Sequence, residues 1–495
     1  MTGQEQTRTV GQLPAPQERD SRVPPALTLL AWLLWAVSLG ALAVVLRSGD
    51  RWGLDGVLTV DGLTVVMWVA VTFFSGIVHS YSRRYMAGSR TIEKFFGYVF
   101  AFTLVVMGLV AADSLVVFAL LWLAMGLVMA QLIGAAEGWP QAQAAASLAR
   151  RYFLASSTLL AAALGTLWWA TGVTAISGLE SAVGTTPSAA VLVAAGGLVL
   201  AATVQSALVP FHRWLLSSMT APTPASALMH AGFVNAGGIL LVRFAPVVTV
   251  EPGVMLAVVL VGATSALLGK LLKTVQPAVK SKLGCSTVGQ MGFMIMQAGL
   301  GFFAAAITHL ILHGFYKAYQ FLTSGSRVSH ESPGGATAGG SAGIVGVAVI
   351  AVTAVAGGVL FAALTGKGAK LDSGLLLTLL VVLTSMHAAR EVVTRAAVPA
   401  AVRYGAVPLV ALPAIALYGV VYSAIAELLA PLPAVGQPAE LTVVHGVVAA
   451  AFLVAYLAIE TDAYQYNRRL YVALLNATQP ASDTLLTTTE EYNEY

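Results

Sequence analysis

Long apolar segments recur along almost the whole chain, and they constrain its fold more than any other feature. Fourteen such stretches can be counted in the 495 residues, each of about 20 residues and thus long enough to span a bilayer as a helix. Their apolar residues are continuous rather than alternating, which favours helices over the strands of a membrane barrel. Only 10% of the residues are charged and 58% are hydrophobic, whereas soluble domains have roughly 25% charged residues. The chain is therefore predicted to be an all-α polytopic membrane protein.

The same composition excludes several classes of function. The chain has one cysteine, Cys285, so an internal disulfide and a cysteine-based zinc site are both excluded. It contains no P-loop, no dinucleotide-binding fingerprint and no His-Glu-x-x-His motif, and a chain this apolar is not a nucleic-acid-binding domain. We expect no catalytic residue, no metal ligand and no cofactor in this chain. We interpret it as a transport or coupling subunit rather than an enzyme.

The apolar stretches divide the chain into three predicted parts. These are a cytoplasmic N-terminal segment at 1–25, a transmembrane bundle at 26–460, and a cytoplasmic interfacial helix and tail at 461–495. The polar N-terminal residues lack the apolar core of a cleavable signal peptide. The predicted spans are 26–46, 58–80, 95–112, 114–134, 150–171, 188–209, 223–246, 254–271, 283–301, 303–326, 341–364, 371–389, 404–428 and 441–460.

Basic residues are distributed unevenly between the predicted loops. Of the 26 Lys and Arg residues, 20 lie in the N-terminal segment or in the regions that follow even-numbered spans, and 5 lie in the other loops. Cytoplasmic loops of membrane proteins are enriched in Lys and Arg. The distribution predicts a multi-pass protein of the cell inner (cytoplasmic) membrane with both termini in the cytoplasm. The remaining basic residue, Lys317, lies inside a predicted span.

Prolines interrupt the pattern after the sixth span. Pro210 directly follows an apolar run, and Pro222 and Pro224 precede the seventh span. Proline removes a backbone hydrogen bond from a helix, and a membrane tolerates such a break only where it is buried in protein or lines a wet cavity. We predict a broken helix near Pro210. The alternative is an ordinary cytoplasmic loop with proline in the first turn of the next helix.

Polar segments interrupt and follow the spans. Residues 328–340 form a Gly-rich loop that is expected to be flexible. Residues 461–479 combine tyrosines and leucines with Arg468 and Arg469, a pattern typical of a helix that lies in the membrane interface. The acidic tail that begins at Ser482 is expected to be either disordered or a docking segment for a partner.

Three ionisable residues in the tenth span have the spacing of one helix face. His309, His313 and Lys317 are four residues apart, so they rise ~12 Å along the helix at 1.5 Å per residue. Ionisable groups inside a membrane are costly and often belong to proton relays, and histidine changes its charge near neutral pH. We predict that these residues form a proton pathway. The alternative is that each side chain bonds a carbonyl group of a neighbouring helix.

Further polar residues are candidates for the same pathway. His230, early in the seventh span, is either a proton site or a packing histidine. Lys280, before the ninth span, is either part of the pathway or a cytoplasmic lysine that follows the positive-inside rule. Asp113, between the third and fourth spans, is expected to cap a helix. His387 is expected to belong to an interfacial cluster at the end of the twelfth span.

Several motifs together resemble a known family. They are Val60-Asp61-Gly62-Leu63 followed by HSYSRRYM (79–86), AADSLVVFALLW (111–122), VPFHRWLLSSMTAPTPASALMHAG (209–232), and STVGQMGFM (286–294) leading into HLILHGFYKAYQFLTSGS (309–326). Over about residues 58–327 the chain resembles the antiporter-like proton-conducting subunits of respiratory complex I and of Mrp-type cation/proton antiporters. Within this superfamily it looks most like the DabB membrane subunits of inorganic-carbon accumulation complexes.

The resemblance implies roles for the candidate residues and a partner for the chain. By position, His309, His313 and Lys317 match the family's central relay. His230 matches its histidine after a Pro-Thr-Pro motif, and Lys280 matches its basic residue before a Ser-Thr pair. The family also implies a DabA-like, zinc-containing peripheral subunit at the cytoplasmic face. Ion flow through the membrane subunit would then drive hydration of CO2 to bicarbonate in that partner.

Two positions depart from the family pattern. The family usually has a glutamate after Trp122 and a lysine near the end of the sixth span, where this chain has Leu123 and Gln205. Both charges of a pair that serves the first half-channel are therefore absent together, which avoids leaving one buried charge unpaired. The resemblance implies a first half-channel that is inactive or uses His230 alone. Gln205 nevertheless remains a candidate for the pathway.

These patterns are compatible with three functions. We predict an ion-conducting, and specifically proton-conducting, membrane subunit that energises inorganic carbon uptake by a CO2-hydrating cytoplasmic partner. One alternative is a cation/proton antiporter or a proton-pumping subunit like those of respiratory complex I. The other is a non-conducting membrane anchor for the partner. Beyond that partner, membrane lipid is the expected contact, and nucleic acid is not.

Overall fold

The structure is a computed structural model that describes residues 21–49, 51–184, 188–327, 343–394, 399–461 and 463–485. The Gly-rich loop at 328–340, most of the predicted N-terminal segment and the end of the acidic tail lie outside these residues. The described part of the chain is almost entirely helical.

Twenty α-helices and one antiparallel hairpin make up most of the described residues. The strands are β1 (Trp52–Leu54) and β2 (Leu58–Val60). The helices are α1 (Val23–Ser48), α2 (Gly62–Tyr85), α3 (Ile92–Ala111), α4 (Leu115–Ile133), α5 (Pro140–Thr171), α6 (Leu179–Val183), α7 (Ser188–Gln205), α8 (Arg213–Ser217), α9 (Thr223–Ala231), α10 (Ala236–Arg243), α11 (Ala245–Val248), α12 (Pro252–Val275), α13 (Val279–Gly299), α14 (Phe303–Leu322), α15 (Gly343–Thr365), α16 (Gly374–Val393), α17 (Ala400–Leu429), α18 (Val443–Glu460), α19 (Ala463–Tyr466) and α20 (Arg468–Ala477).

Fourteen helical segments of the described chain have membrane-spanning length when α9 and α10 are counted as one span. By length and apolar composition together, eleven of them are able to cross a membrane. The other three are α7, α13 and α14; α13 is less apolar because it contains two lysines, and α14 because it contains two histidines and a lysine. The prediction of an all-α membrane fold with about fourteen spans is confirmed.

Successive spans alternate in direction, so their connections collect at two ends of the bundle. One end, which we call the basic end, has the connections at residues 86–91, 134–139, 206–222 and 276–278. The other, which we call the hairpin end, has the β1–β2 hairpin and the connections at 300–302 and 366–373. That the basic end faces the cytoplasm stays a prediction from the loop charges.

Several helix boundaries differ from the predicted ones, and two of these differences have a clear local cause. α5 begins at Pro140 rather than at residue 150, because proline is preorganised for a first helical turn and the following alanines and glutamines are good helix formers. α2 begins at Gly62 rather than at residue 58, because Asp61 caps it by accepting a hydrogen bond from Thr64 N. The preceding residues form strand β2 instead.

The sixth span is broken before Pro210, as predicted. α7 ends at Gln205, and Ala207 has a left-handed φ of 53°. The interrupted segment, residues 206–222, then contains the short helix α8 before α9 begins. Ala207 N donates to Val204 O at 3.2 Å and Trp214 Nε1 donates to it at 3.0 Å, so this carbonyl at the end of α7 is satisfied inside the bundle.

A second break, not predicted from the sequence, divides the seventh span. α9 ends at Ala231, a 3₁₀ turn covers Phe233–Asn235, and α10 follows. Asn235 Nδ2 donates to Ala231 O at 2.7 Å and so bridges the break. His230 lies in the last turn of α9, directly before this irregular backbone.

Glycines bring α12 and α13 into backbone contact. A Cβ added at Gly269 would lie 2.2 Å from Gly289 N, and one added at Gly262 would lie 2.5 Å from Met296 N. Small residues allow membrane helices to approach this closely. The pairing fixes Lys270 of α12 beside the α13 backbone near the basic end.

A buried ion pair connects three helices near the hairpin end. Arg243 of α10 forms a salt bridge with Asp61, and the two side chains are only 7% and 5% exposed. Arg243 Nη2 also donates to Thr64 Oγ1 at 2.6 Å and to Val110 O of α3. From the sequence, Arg243 is counted among the five basic residues of the other loops, but the structure places its side chain in the interior.

Loss of one member of this pair should destabilise the bundle. Asp61→Asn leaves the Arg243 guanidinium buried without a carboxylate, and breaking a buried pair costs about 3–5 kcal/mol. The melting temperature of the purified protein in detergent should therefore fall by several degrees. The control is Glu137→Gln, which breaks a pair with Lys94 whose side chains are 53% (Lys94) and 52% (Glu137) exposed. That change should have little effect, and an equal fall in both variants would contradict a structural role of the buried pair.

Candidate functional site

Three of the predicted residues lie along one face of α14. The ring centroids of His309 and His313 are 5.7 Å apart, and the ring planes differ by 16°. Lys317, one turn further, is completely buried. Its Nζ donates to Leu283 O of α13 at 2.9 Å. Lys317 forms no salt bridge with any carboxylate of the described residues.

A chain of hydrogen bonds connects Lys317 to His230. Leu283 O accepts a second hydrogen bond from Thr287 Oγ1 at 2.9 Å, and Thr287 Oγ1 is 2.9 Å from His230 Nδ1. Because the threonine hydroxyl gives its one proton to the carbonyl, His230 Nδ1 must donate to Thr287 Oγ1. Nε2 of neutral His230 is then unprotonated and able to accept a proton.

Several nitrogens of the histidine rings have no hydrogen-bond partner within the described protein. These are His230 Nε2, His309 Nε2 and both ring nitrogens of His313, and all are buried. Buried polar atoms in proteins are normally paired with protein or with ordered water. The His230 ring is also stacked on Phe321, with 4.3 Å between the ring centroids. The rings are thus held in place while their nitrogens stay open to proton exchange.

Lys280 connects this network to the interrupted segment. Its Nζ donates to Ala221 O at 3.0 Å, and Lys280 lies in the first turn of α13, three residues before Leu283. The structure therefore brings His230, Lys280 and Lys317 together around the first turns of α13. His313 and His309 continue from there along α14 towards the hairpin end.

The two positions that depart from the family pattern do not join this network. Gln205 is fully buried at the end of α7, and neither polar atom of its amide has a partner in the described protein. Leu123 of α4 is half-buried. The region between α4 and α7 thus contains a neutral amide and a leucine in place of two charges.

Asp113 is not the cap of a helix, so that prediction is wrong. The residue after it, Ser114, has the extended backbone of an N-cap, and its Oγ accepts from Val117 N. The Asp113 carboxylate instead accepts from Ser177 N at 2.8 Å and from Ser177 Oγ at 2.9 Å. Asp113 therefore fastens a loop at the hairpin end, away from the network around Lys317.

His387 belongs to a cluster that joins three helices at the basic end. Its Nδ1 is 2.6 Å from Glu460 Oε1 of α18, and its Nε2 is 3.0 Å from Lys270 Nζ of α12. Arg390 forms a salt bridge with the same Glu460 carboxylate. The roles of Lys270 and Glu460 were not predicted from the sequence, although an ionisable residue near the end of an apolar span often indicates a functional site.

No group of three or more His, Cys, Asp or Glu residues in the described chain could hold a metal ion.

Lys367 is a third residue that was not predicted from the sequence. It lies between α15 and α16 at the hairpin end and is only 2% exposed. Its Nζ is 3.1 Å from the ring centroid of Tyr422 and 5.1 Å and 5.6 Å from those of Phe302 and Phe361, a cation–π arrangement. Burial lowers the pKa of Lys367 from 10.5 to about 7.

Known proteins share the sequence pattern of this chain. Residues 112–390 match the family described as NADH:quinone oxidoreductase/Mrp antiporter, TM, and residues 50–96 match the N-terminus of complex I chain 5. A probable inorganic carbon transporter subunit DabB1 of Halothiobacillus neapolitanus is 40% identical over 57% of this chain and 51% of the relative. A probable DabB of Bacillus subtilis is 36% identical over 63% and 62%. NADH-quinone oxidoreductase subunit L of Mycobacterium tuberculosis is 37% identical over 54% and 43%. The chain thus spans about half the length of these relatives.

Solved structures share the fold. The structure of the Mrp complex from Dietzia sp. DQ12-45-1b matches 95% of this chain and 53% of its own with a TM-score of 0.55 at 23% identity. An archaeal respiratory membrane complex, the membrane-bound sulfane sulfur reductase, matches 94% of both chains with a TM-score of 0.59 at 15% identity. At these identities the likeness concerns the antiporter-like fold alone.

Gln205→Leu should be a mild change. It removes a buried amide that has no protein partner, so it exposes no new unsatisfied group. We expect assembly to be unchanged and ion flux into membrane vesicles to stay within about twofold of the unmodified protein, since near-isosteric removal of an unpaired polar group is close to neutral. A loss of flux as severe as the loss expected when the Lys317 amine is removed by substitution with alanine would show that Gln205 belongs to an ion pathway.

Proposed function

Because the chain belongs to the family of antiporter-like membrane subunits of NADH:quinone oxidoreductases and Mrp antiporters, we propose that it conducts protons to energise inorganic carbon uptake. In this proposal the basic end faces the cytoplasm, where a zinc-containing, CO2-hydrating partner binds. The relatives named as inorganic carbon transporter subunits support inorganic carbon as the transported substrate. The geometry around Lys317 supports conduction.

The observation that carries the proposal is the environment of Lys317. Lys317 is fully buried, its Nζ donates to one backbone carbonyl, and no carboxylate of the described residues forms a salt bridge with it to stabilise its charge. An uncompensated charge in such a place costs several kcal/mol. Gain and loss of a proton at Lys317 would therefore change its bond to Leu283 O, and through Thr287 the environment of His230.

The histidines of α14 provide the next acceptors. His313 and His309 follow Lys317 at one-turn steps on the same face, and their unpaired nitrogens can take up a proton. Each transfer breaks one N–H bond and forms another, so the charge moves along α14 and no cofactor is required. Intramembrane chains of this kind are typical of proton-translocating proteins.

The partner would bind where the C-terminal helix meets the interrupted segment. Ala481 N donates to Ser217 Oγ at 3.1 Å, and a ring nitrogen of His212 is 3.2 Å from Ala477 O. The exposed side chains of Arg468 and Arg469 on α20 face outwards at this end. A partner bound to α20 would therefore be connected, through Ala477 and Ala481, to the same segment that Lys280 holds through Ala221 O.

A second candidate function is supported by the missing charges at Leu123 and Gln205. A chain that lacks the usual charged pair of its first half-channel could serve as a non-conducting anchor for the partner. Measurement of proton flux separates the two, because an anchor supports partner binding without any flux. An antiporter would be recognised by proton movement that depends on added sodium or potassium.

Lys317→Ala should abolish conduction without preventing assembly. Removing the amine interrupts the relay between His230 and His313, whereas alanine fits a helix interior. Cells that depend on this protein and its partner should stop growing at air levels of CO2 but grow at elevated CO2. The control is Lys282→Ala, an exposed residue of the same α13 region, which should grow in air. Normal growth of Lys317→Ala in air would count decisively against a conducting role of α14.

Changes in the C-terminal helix should weaken partner binding. Deletion of residues 461–495 should lower the amount of partner that co-purifies while the membrane bundle still folds, as judged by size-exclusion chromatography in detergent. A double charge reversal, Arg468→Glu with Arg469→Glu, keeps the helix and tests the docking surface alone. Zinc analysis of the co-purified material identifies the partner's metal. Full retention of the partner in both variants would refute the docking role of this region.

A further inference from the structure

A chamber of about 410 Å³ lies between α12, α13, α16 and α18 and extends to α14. At the basic end its wall includes Lys270, Lys273 and His387. Deeper in the bundle its wall includes Phe293 and His309. The chamber thus connects the His387 cluster with the far end of the α14 relay.

Polar side chains line the chamber at membrane depth. Gln290 is the twelfth residue of the 21-residue α13, and it is exposed to the chamber rather than packed. Ser286, one turn earlier, and Thr384 of α16 also line it. Amide and hydroxyl groups at this depth are costly in hydrocarbon but not beside water. Apolar side chains such as Leu380 and Phe452 form much of the remaining wall, so the polar groups offer water its hydrogen-bond partners along one side of the chamber.

His309 is the relay residue that reaches the chamber. Its ring packs beside Phe293, with 5.3 Å between the centroids, and its Nε2 is buried without a partner in the described protein. His313, the next relay residue, is stacked on it. A proton that arrives through the chamber would therefore reach the α14 relay at its end furthest from Lys317.

The cluster at the mouth of the chamber is a continuous hydrogen-bonded chain. Lys270 Nζ, His387 and the Glu460 carboxylate follow one another at 3.0 Å and 2.6 Å. When His387 receives a proton at one ring nitrogen and releases one from the other, one N–H bond forms and one breaks. The proton passes to Lys270 or to Glu460, so charge and atoms balance in either direction. The salt bridge from Arg390 fixes the orientation of Glu460.

We propose that this chamber is a second proton route, leading from the Lys270–His387–Glu460 cluster at the basic end directly to His309. The proposal rests on the proposed function and concerns where protons enter. It gives the relay an entrance that does not use Gln205 or Leu123. The absence of charge at those two positions is then compatible with conduction.

The titratable groups around the route come from four of the five helices that line it. Lys270 and Lys273 belong to α12, His387 to α16 and Tyr456 to α18, while α13 contributes neutral groups. His313 faces His309 from the same helix. Two carboxylates lie beside His387: that of Glu460, which is 8% exposed and 2.6 Å from Nδ1, and that of Glu391, 4.0 Å from Nε2. The buried Glu460 carboxylate offsets the lysine charge at the entrance.

Cysteine labelling tests whether water reaches the chamber from the basic end. In a full-length Cys285→Ala background, Gln290→Cys places a thiol in the chamber wall, and Met291→Cys places one in the packed core at the same depth. A membrane-impermeant methanethiosulfonate reagent is added to vesicles of both orientations. We expect Gln290→Cys to react at least about tenfold faster than Met291→Cys, and only from the basic end, because hydrated thiols form the reactive thiolate. Equally slow reaction of both thiols would overturn the proposal.

Flux measurements test whether the route carries protons. Glu460→Gln and Ala455→Phe, the latter of which fills the chamber without changing a charge, should each reduce proton flux at least about tenfold, as loss of a required transfer group does. The control Glu391→Gln changes a 68% exposed carboxylate near His387 but outside the chamber wall, and it should conduct normally. Normal flux in both chamber variants, with flux lost in Lys317→Ala, would overturn this route and leave the proposed function standing. Normal flux in Lys317→Ala would overturn both.

Discussion

The hydrocarbon core of a bilayer offers no hydrogen-bond partners, and the rest of this structure depends on that constraint. It requires helices wherever the chain faces lipid, and it allows irregular backbone only where the protein itself supplies partners. Both breaks obey this rule, because Trp214 and Asn235 donate to carbonyls at the interrupted helix ends. Lys280 does the same for Ala221 O. The breaks occur next to the buried ionisable residues, so the same partners that permit the irregular backbone also position the site.

The sequence predicts those parts of the molecule that depend on local patterns. Apolar length gives the spans, and a four-residue spacing places His309 and Lys317 on one face. Partners across helices are not predictable in this way, because a carbonyl such as Leu283 O has no sequence signal and depends on how α13 packs against α14. Lys367 illustrates the same limit, since its burial depends on Tyr422 of the distant helix α17. The prediction that Asp113 caps a helix is wrong for a local reason, because the adjacent residue Ser114 is an equally good helix cap.

The two ionisable clusters differ in how their charge is compensated. Lys317 has a carbonyl as its partner and no carboxylate among the described residues, whereas Lys270 is connected through His387 to Glu460. In the compensated cluster the neighbouring Glu460 carboxylate stabilises the charge of a proton that enters, because an acid and a base lie side by side. An uncompensated lysine changes the local charge each time its proton leaves. The compensated cluster is suited to the entrance of a proton pathway. The uncompensated Lys317 is suited to a step in which a proton transfer changes the conformation of the surrounding protein.

Movement of the surroundings is what coupling to a partner requires. Lys317 and Lys280 both contact backbone carbonyls at the basic end, of Leu283 and of Ala221. The segment that contains Ala221 also contains Ser217, which accepts a hydrogen bond from Ala481 N in the C-terminal region. If this segment has two arrangements that differ in their affinity for a proton and for the partner, the two binding events are linked. Linkage is reciprocal, so the factor by which the partner changes proton affinity at Lys317 must equal the factor by which protonation changes partner affinity.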